Sequence, residues 1–392
     1  MKIASNGIQI HIEERGGGDL SLVFLHYWGG SSRTWDKVIA ALPKSYRSIA
    51  TDHRGWGESD APANGYGLAD LAADAQGVIE ALDLKRYVLV GHSMGGKVAQ
   101  LMASRRPKGL AGLVLVAPSP PQPLAIPPEA RETMAGAYST RESVGAAIDQ
   151  MLSARVLSLK DRDQVIEDSL RGAPQAKAAW PRSTSLEDIT RDVAAINVPT
   201  IVIAGELDRV DSVDLIKTEL LSRIPHATLH VLSGTGHLSP LESPQEIARL
   251  IGEFVKARAA SEATPERNKA LVLEAFDTLF NKRDYAAAER YWSDHYIQHS
   301  AHISPGRDGL FNLVRTAPST LKYENHVIAA DGDYVIAHGR FSGNGRPVAW
   351  VAADIVRIED GKLAEHWDVL QDEVTRAQSL SGRPMFGDRF AD

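Results

Sequence analysis

Residues 87–99 read Tyr-Val-Leu-Val-Gly-His-Ser-Met-Gly-Gly-Lys-Val-Ala. The apolar, valine- and leucine-rich run predicts a buried strand, and the alanine-containing pattern after it has helical spacing. Between them stands G-x-S-x-G, with glycines at 91 and 95 around Ser93. A turn this tight leaves no room for side chains at Gly91 and Gly95. It would lift the Ser93 hydroxyl to the carboxyl edge of a sheet, at a helix N-terminus whose free N–H groups favour negative charge. Strand, sharp turn and helix thus commit the chain to a sheet covered by helices.

The flanking sequence continues that alternation. Residues 7–13 alternate apolar and polar, as a half-buried strand does. Residues 22–25 predict a short buried strand that runs into His26-Tyr-Trp-Gly-Gly30 and a helix over 35–42. Another strand over 46–51 ends at the glycine-punctuated loop 52–59, and a helical pattern spans 68–82. Strands follow at 113–117, 198–204 and 227–232, with helices at 214–224 and 244–257. Such alternation predicts a parallel sheet covered on both faces. A proline cluster over 118–128 breaks the alternation and the pattern is helical from 129 to about 189, so residues 119–190 read as a lid over the carboxyl edge. Met134, Met151, Leu152 and Trp180 are its candidates for an acyl pocket, and they serve equally as lid core.

Residues 258–266 are small and polar and read as a linker, so the first domain is placed at 1–258, the linker at 259–265 and a second domain at 266–392. There, helical patterns at 266–280 and 285–291 precede alternating segments at 321–331, 333–342 and 347–358 and a shorter one at 363–370. Asp331-Gly and Asp360-Gly are hairpin turn signals. Helices first and antiparallel strands afterwards predict a separate α+β domain. A length of 392 residues accommodates this, at about 150 residues per domain.

Composition narrows the chemistry. A net charge of -7 gives no footprint for nucleic acid or an anionic membrane. The chain has no cysteine, which excludes disulfides, thiolate catalysis and cysteine-held metal. No apolar run approaches the ~20 residues of a membrane span, and residues 1–10 lack the apolar core of a secretory signal. The expectation is a soluble cytoplasmic protein.

A serine hydroxyl needs a base, and the base needs an orienting acid. Asp208 lies just past one predicted strand and His237 just past the last, in Gly234-Thr-Gly-His237. Each therefore falls on the same sheet edge as Ser93, in the chain order Ser, Asp, His. Asp211 competes for the acid role but is placed to begin the following helix. His92 is expected to pack under the turn. An oxyanion formed at Ser93 needs two backbone N–H donors, one from Met94 and one from the loop after residue 25. Trp28 is the first candidate there, and Tyr27 the second.

His26-Tyr-Trp-Gly-Gly30, Asp52-His-Arg-Gly-Trp-Gly-Glu-Ser59, Gly91-His-Ser-Met-Gly95, Gly205-Glu-Leu-Asp208 and Gly234-Thr-Gly-His237 together resemble the α/β-hydrolase superfamily. The nearest likeness is to serine esterases, lactonases and cofactor-free haloperoxidases (perhydrolases). It covers about residues 1–258 and implies a small-molecule ester or lactone substrate, no cofactor and no metal. Serine at 93 separates the chain from haloalkane dehalogenases and epoxide hydrolases, which need an aspartate there. Tyr27 departs from the glycine usual at its position.

The second half carries Tyr296-Ile-Gln-His299, Pro305-Gly-Arg-Asp-Gly309, Val351-Ala-Ala-Asp-Ile-Val-Arg357 and Gly361-Lys-Leu-Ala-Glu-His-Trp-Asp368. These resemble the SnoaL-like branch of the NTF2-like superfamily, cone-shaped α+β domains with a pocket between sheet and helices. The likeness implies a polyketide-type cyclase or isomerase, or a dimerisation module joining two copies of the chain. Ser300-Ala301 depart from the Asn-Pro common at that place. His299, His366 and Asp368 are the candidate pocket groups, a carboxylate beside imidazoles being suited to moving a proton. His295, His299 and His302 form no complete metal-ligand set at a recognised spacing.

Overall fold

A computed structural model describes the backbone of residues 1–18 and 20–390, and the side chains of these except 258–264. The chain forms two compact units, Met1–Val255 and Lys256–Asp392. The linker expected at 259–265 lies almost wholly on residues whose side chains are outside that description.

The first unit is built on an eight-stranded sheet. In chain order its strands are β1 (Lys2–Ser5), β2 (Ile8–Arg15), β3 (Ser21–Leu25), β4 (Arg47–Thr51), β5 (Tyr87–His92), β6 (Leu110–Val116), β7 (Thr200–Gly205) and β8 (Thr228–Leu232). Their order in the sheet is β1-β2-β4-β3-β5-β6-β7-β8. Only β1–β2 and β2–β4 pair antiparallel. From β4 to β8 every pairing is parallel.

The two-residue period of a strand sorts the side chains into two cores. Val23, Leu25, Leu89, Leu113 and Val202 face one core with the helix Leu68–Ala81. Leu22, Phe24, Val90, Val114 and Ile203 face the other, with Ile247 and Ile251 of the helix Pro244–Phe276. That helix extends beyond the 244–257 expected for it. The strands β3, β5 and β7 are buried along their whole length, as a sheet covered on both faces requires.

Between β6 and β7 the chain leaves the sheet for a helical insertion. Its main helices are Pro128–Gly136, Arg141–Ala147, Leu159–Arg171 and Pro174–Arg182. Trp180 and Leu152 are buried in the core beneath it, whereas Met151 is exposed.

The second unit has a five-stranded sheet of β9 (Trp292–Gln298), β10 (Lys322–Asp331), β11 (Tyr334–Ser342), β12 (Trp350–Glu359) and β13 (Lys362–Asp372). The order is β10-β11-β12-β13-β9, antiparallel except for β9 against β13. β13 is eleven residues long rather than the shortest of the set. Sequence reasoning missed β9. Its two buried side chains, Trp292 and Tyr296, stand four apart, a helical rather than an alternating interval. An aromatic core of Phe276, Phe280, Trp292, Phe311 and Tyr323 packs beneath this sheet. Among the described residues no helix is long and apolar enough to cross a membrane.

Candidate active site

Ser93 immediately follows β5 and caps the helix Met94–Ser104 with φ 52° and ψ -114°. A non-glycine residue in that region carries about 1–3 kcal/mol of strain, which the surroundings must hold. They do so by close approach. A Cβ on Gly91 would lie 2.4 Å from the Gly95 carbonyl oxygen, and one on Gly95 would lie 2.5 Å from that of Leu25. The turn thus sits directly against the end of β3.

Three loops at the carboxyl ends of parallel strands converge there. His237, beyond β8, has its Nε2 2.9 Å from Ser93 Oγ. Its Nδ1 lies 2.9 Å from Asp208 Oδ2, beyond β7. With Nδ1–H donating to the carboxylate, Nε2 is the free acceptor for the serine proton. Asp208 Oδ1 is occupied separately, accepting from the backbone N–H of Val210 at 2.8 Å and of Asp211 at 3.0 Å. All three side chains are buried. Burial pushes the His237 imidazole down, but Asp208, Asp211 and Glu242 outweigh it and raise it above its ordinary value. His92 packs behind the trio, as expected. Its Nε2–H donates to the His237 carbonyl at 2.8 Å, and burial holds it neutral, well below the usual histidine range.

The loop after β3 is positioned from two sides. His26 Nδ1 lies 2.6 Å from the Tyr27 carbonyl, and its Nε2 accepts from the His53 N–H at 3.0 Å. Burial lowers His26 to about 4, so it is a neutral strut. Gly30 N–H donates to the Tyr27 carbonyl and closes a turn that has Trp28 inside it. From the insertion, Tyr138 donates its hydroxyl to the Trp28 carbonyl at 3.1 Å, with its ring 4.1 Å from the Trp28 ring. Ser169 donates to the Gly29 carbonyl at 3.0 Å, and the Trp28 indole N–H donates to the Lys177 carbonyl at 3.1 Å. Met94 is the first residue of its helix, so its N–H is one of the four with no acceptor inside the helix.

Asp211 departs from its expected role. Ser212, not Asp211, caps the short helix Val213–Ile216. Asp211 is instead buried, 1% exposed, and its Oδ1 has no hydrogen-bond partner among the described residues. Burial chiefly, and the charge of Asp208, push its carboxyl up to about 8, against the opposing pull of His237 and Lys97.

In the second unit a cavity of about 310 Å³ opens between sheet and helices, with Phe276, Phe280, Leu310 and Phe341 among its apolar walls. Asp354, His366, Asp368, His302 and Tyr296 bring polar groups to it. His366 bridges Asp354 Oδ1 at 3.1 Å and Gln298 Oε1 at 3.0 Å. Asp354 is buried and its Oδ2 has no hydrogen-bond partner among the described residues; burial raises its carboxyl against the pull of His366. Asp368 accepts from Ser300 Oγ at 2.7 Å, which also meets His302 Nδ1 at 2.9 Å. His299 does not line the cavity. Its side chain is 42% exposed, pairs with Glu365 at 2.9 Å and stacks on Trp367 at 4.8 Å. Glu365 and Trp367 flank His366 in β13, so alternation puts them, and His299 with them, on the opposite face. Sequence reasoning missed Asp354, although it faces Asp368 across the β12–β13 ladder.

Comparison with known proteins agrees with this anatomy. Residues 22–250 match the model of the alpha/beta hydrolase family, and residues 272–366 match that of the SnoaL-like domain. A non-heme chloroperoxidase of Streptomyces lividans is 30% identical over 279 residues, covering 64% of this chain and 98% of that one. A 2-hydroxy-6-oxononadienedioate/2-hydroxy-6-oxononatrienedioate hydrolase of Paraburkholderia xenovorans is 26% identical, covering 65% of this chain and 93% of its own. Among solved structures, an esterase from Exiguobacterium antarcticum shares the fold with a TM-score of 0.61 at 23% identity, covering 65% of this chain and 98% of that one. A strained serine at the end of β5, an imidazole and a carboxylate delivered by the last two strands, and a family match over more than half its length agree: the chain belongs to the alpha/beta hydrolase family and carries a SnoaL-like domain after it.

Proposed function

We propose that the first unit is a serine hydrolase that cleaves a carboxylic ester or lactone through an acyl-enzyme. The observation that carries this is the continuous hydrogen-bond path Ser93–His237–Asp208, with both links at 2.9 Å. Ser93 attacks the carbonyl while His237 takes its proton, and Asp208 fixes the tautomer and stabilises the imidazolium. The backbone N–H groups of Met94 and Trp28 are assigned to the oxyanion, each such donor being worth about 3–4 kcal/mol of barrier. His237 then protonates the leaving oxygen, and water deprotonated by the same imidazole releases the acid. The test is turnover of short p-nitrophenyl esters by the full chain and by Ser93→Ala. Loss of turnover in the variant supports the reading, and full activity removes it. Peroxide in place of water as the second acceptor would make peracid at the same trio, and a relative named as a chloroperoxidase gives reason to assay it.

The cavity of the second unit favours a second reading, an acid–base site of cyclase or isomerase type. Its carrying observation is the buried Asp354–His366 pair, joined by a 3.1 Å hydrogen bond at the polar end of an otherwise apolar space. Asp354→Asn should abolish any such isomerisation while ester turnover continues.

A further inference from the structure

Gln298 fixes the hydrogens at the polar end of the second unit's cavity. Its Oε1 accepts from the backbone N–H of Ser300 at 2.9 Å, a donor that cannot become an acceptor, so the amide oxygen must face that way. The same oxygen lies 3.0 Å from His366 Nδ1, which must therefore carry its hydrogen. His366 Nε2 and Asp354 Oδ1 then stand 3.1 Å apart with one hydrogen between them. A second hydrogen, on Oδ2, would set a neutral acid beside an imidazolium, and an imidazolium favours the carboxylate. Asp354 Oδ2 is thus an acceptor only. It has no hydrogen-bond partner among the described residues, and Asp354, 2% exposed, lines the cavity.

The groups around it add a carboxylate and a hydroxyl but no cationic chain. Ser300 donates its hydroxyl to Asp368 Oδ2 at 2.7 Å, so it accepts from His302 Nδ1–H at 2.9 Å. Asp354 and Asp368 face each other across β12 and β13, and both line the cavity. Tyr296 brings a buried phenol, which burial keeps protonated by raising it above its ordinary value. Among the described residues that line the cavity there is no lysine or arginine. The remaining walls are mostly aromatic and aliphatic, and the volume of about 310 Å³ suits a small molecule.

We infer that this cavity takes an uncharged, mostly apolar small molecule by a hydroxyl group and refuses the corresponding carboxylate. The inference deepens the acid–base reading of the Asp354–His366 pair and rests on it. A ligand hydroxyl has a hydrogen for Asp354 Oδ2 and lone pairs for the Tyr296 O–H. An ether in its place leaves Oδ2 buried and unpaired. A carboxylate sets its charge against two aspartates, with no ammonium or guanidinium to meet it, in a space that solvates charge poorly. Of the two products of an ester cleavage, an alcohol and a carboxylate, only the alcohol fits.

The probes are 2-naphthol, 2-methoxynaphthalene and 2-naphthoate, which share one ring system and differ at the polar end. Their binding to the full chain carrying Ser93→Ala is measured by equilibrium dialysis near neutral pH. 2-Naphthol should bind, 2-methoxynaphthalene at least about fivefold more weakly and 2-naphthoate at least about tenfold more weakly. Asp354→Leu removes the acceptor and should weaken 2-naphthol about tenfold while sparing 2-methoxynaphthalene. In Asp354→Asn the NH2 donates to His366 Nε2 and the amide oxygen replaces Oδ2, so 2-naphthol should stay within about threefold of the parent. Ala317→Trp, at a partly exposed lining residue, fills the cavity and should abolish binding of both naphthol and ether. Thermal melts confirm that each variant folds. Failure of 2-naphthol to bind, equal or tighter binding of 2-naphthoate, or binding that survives Ala317→Trp overturns the inference. The expected order of affinities, without isomerisation of any hydroxylated substrate, retires the acid–base reading alone and leaves the ligand class standing.

Discussion

Asp208→Asn exchanges a carboxylate oxygen for an NH2 group of nearly the same size, and the surroundings decide which way the amide must face. Oδ1 already accepts two backbone N–H groups, at 2.8 and 3.0 Å. An NH2 in that position would set donors against donors and lose two hydrogen bonds, so the amide oxygen belongs there. The NH2 is then turned to His237 Nδ1, 2.9 Å away in the wild type. It can only donate, so Nδ1 becomes the acceptor and the ring proton moves to Nε2. Nε2 then points a hydrogen at Ser93 Oγ and cannot take the serine proton. The expected loss in kcat is about 10⁴-fold, by analogy with the same change in another serine hydrolase, which corresponds to about 5 kcal/mol of barrier. KM should change little, since no substrate contact is removed. Steady-state kinetics on p-nitrophenyl butyrate near neutral pH read this directly, and a thermal melt confirms that the variant folds. A loss below about tenfold, beside an inactive Ser93→Ala, would refute the tautomer argument. It would mean that a second acid, Asp211 being the one at hand, orients the ring instead.

Tyr138→Phe removes one hydrogen bond, to the Trp28 carbonyl, at a cost of about 1 kcal/mol. It should lower kcat through the loop after β3, and an effect confined to KM would contradict that route. Asp211→Asn also changes stability with a defined sign. A buried carboxyl raised to about 8 contributes stability below its unfolded value, and that contribution is lost as pH rises through the folded one. The gain in melting temperature of Asp211→Asn over wild type should therefore grow from pH 4 to pH 9, and a constant difference would contradict it. Trp292→Ala, at a fully buried position between Phe276 and Phe311, should destabilise the second unit by about 3–5 kcal/mol. Denaturant unfolding followed by fluorescence checks this, and first-unit ester turnover provides the control. The second unit exposes Tyr334, Ile336 and Val369 on one sheet face, beside the Arg357–Glu365 ion pair, which suits a second copy of the chain. Light scattering should find a dimer for the wild type and a monomer for Ile336→Asp, and a monomeric wild type would remove the idea.

What could be read before the fold was known follows a physical boundary. The strands β3, β5 and β7 announce themselves because burial on both faces demands unbroken apolar runs, and the Gly91–Ser93–Gly95 turn because its backbone geometry excludes side chains. The G-x-S-x-G turn, the chain order and the strand-end positions together nominate Ser93, Asp208 and His237, since parallel strands deliver their C-terminal loops to one edge. Residues whose part depends on what lies opposite them in space were not legible. Nothing near Tyr138 in sequence reports that its hydroxyl reaches a carbonyl 110 residues earlier. His26 looks like any loop histidine until its two nitrogens are seen to brace Tyr27 and His53. Asp211 has the sequence signature of a helix start, and only the neighbouring Ser212 taking the cap leaves it facing inward. His299 and His366 look equivalent as imidazoles near a strand end, yet strand alternation sends one to the cavity and the other outward. The loop that has Trp28 inside it joins the two classes. Its turn is written in Gly29 and Gly30, but its position is set by Tyr138, Ser169 and Lys177, all from the insertion. Substitutions in the insertion should thus reach Ser93 through that loop.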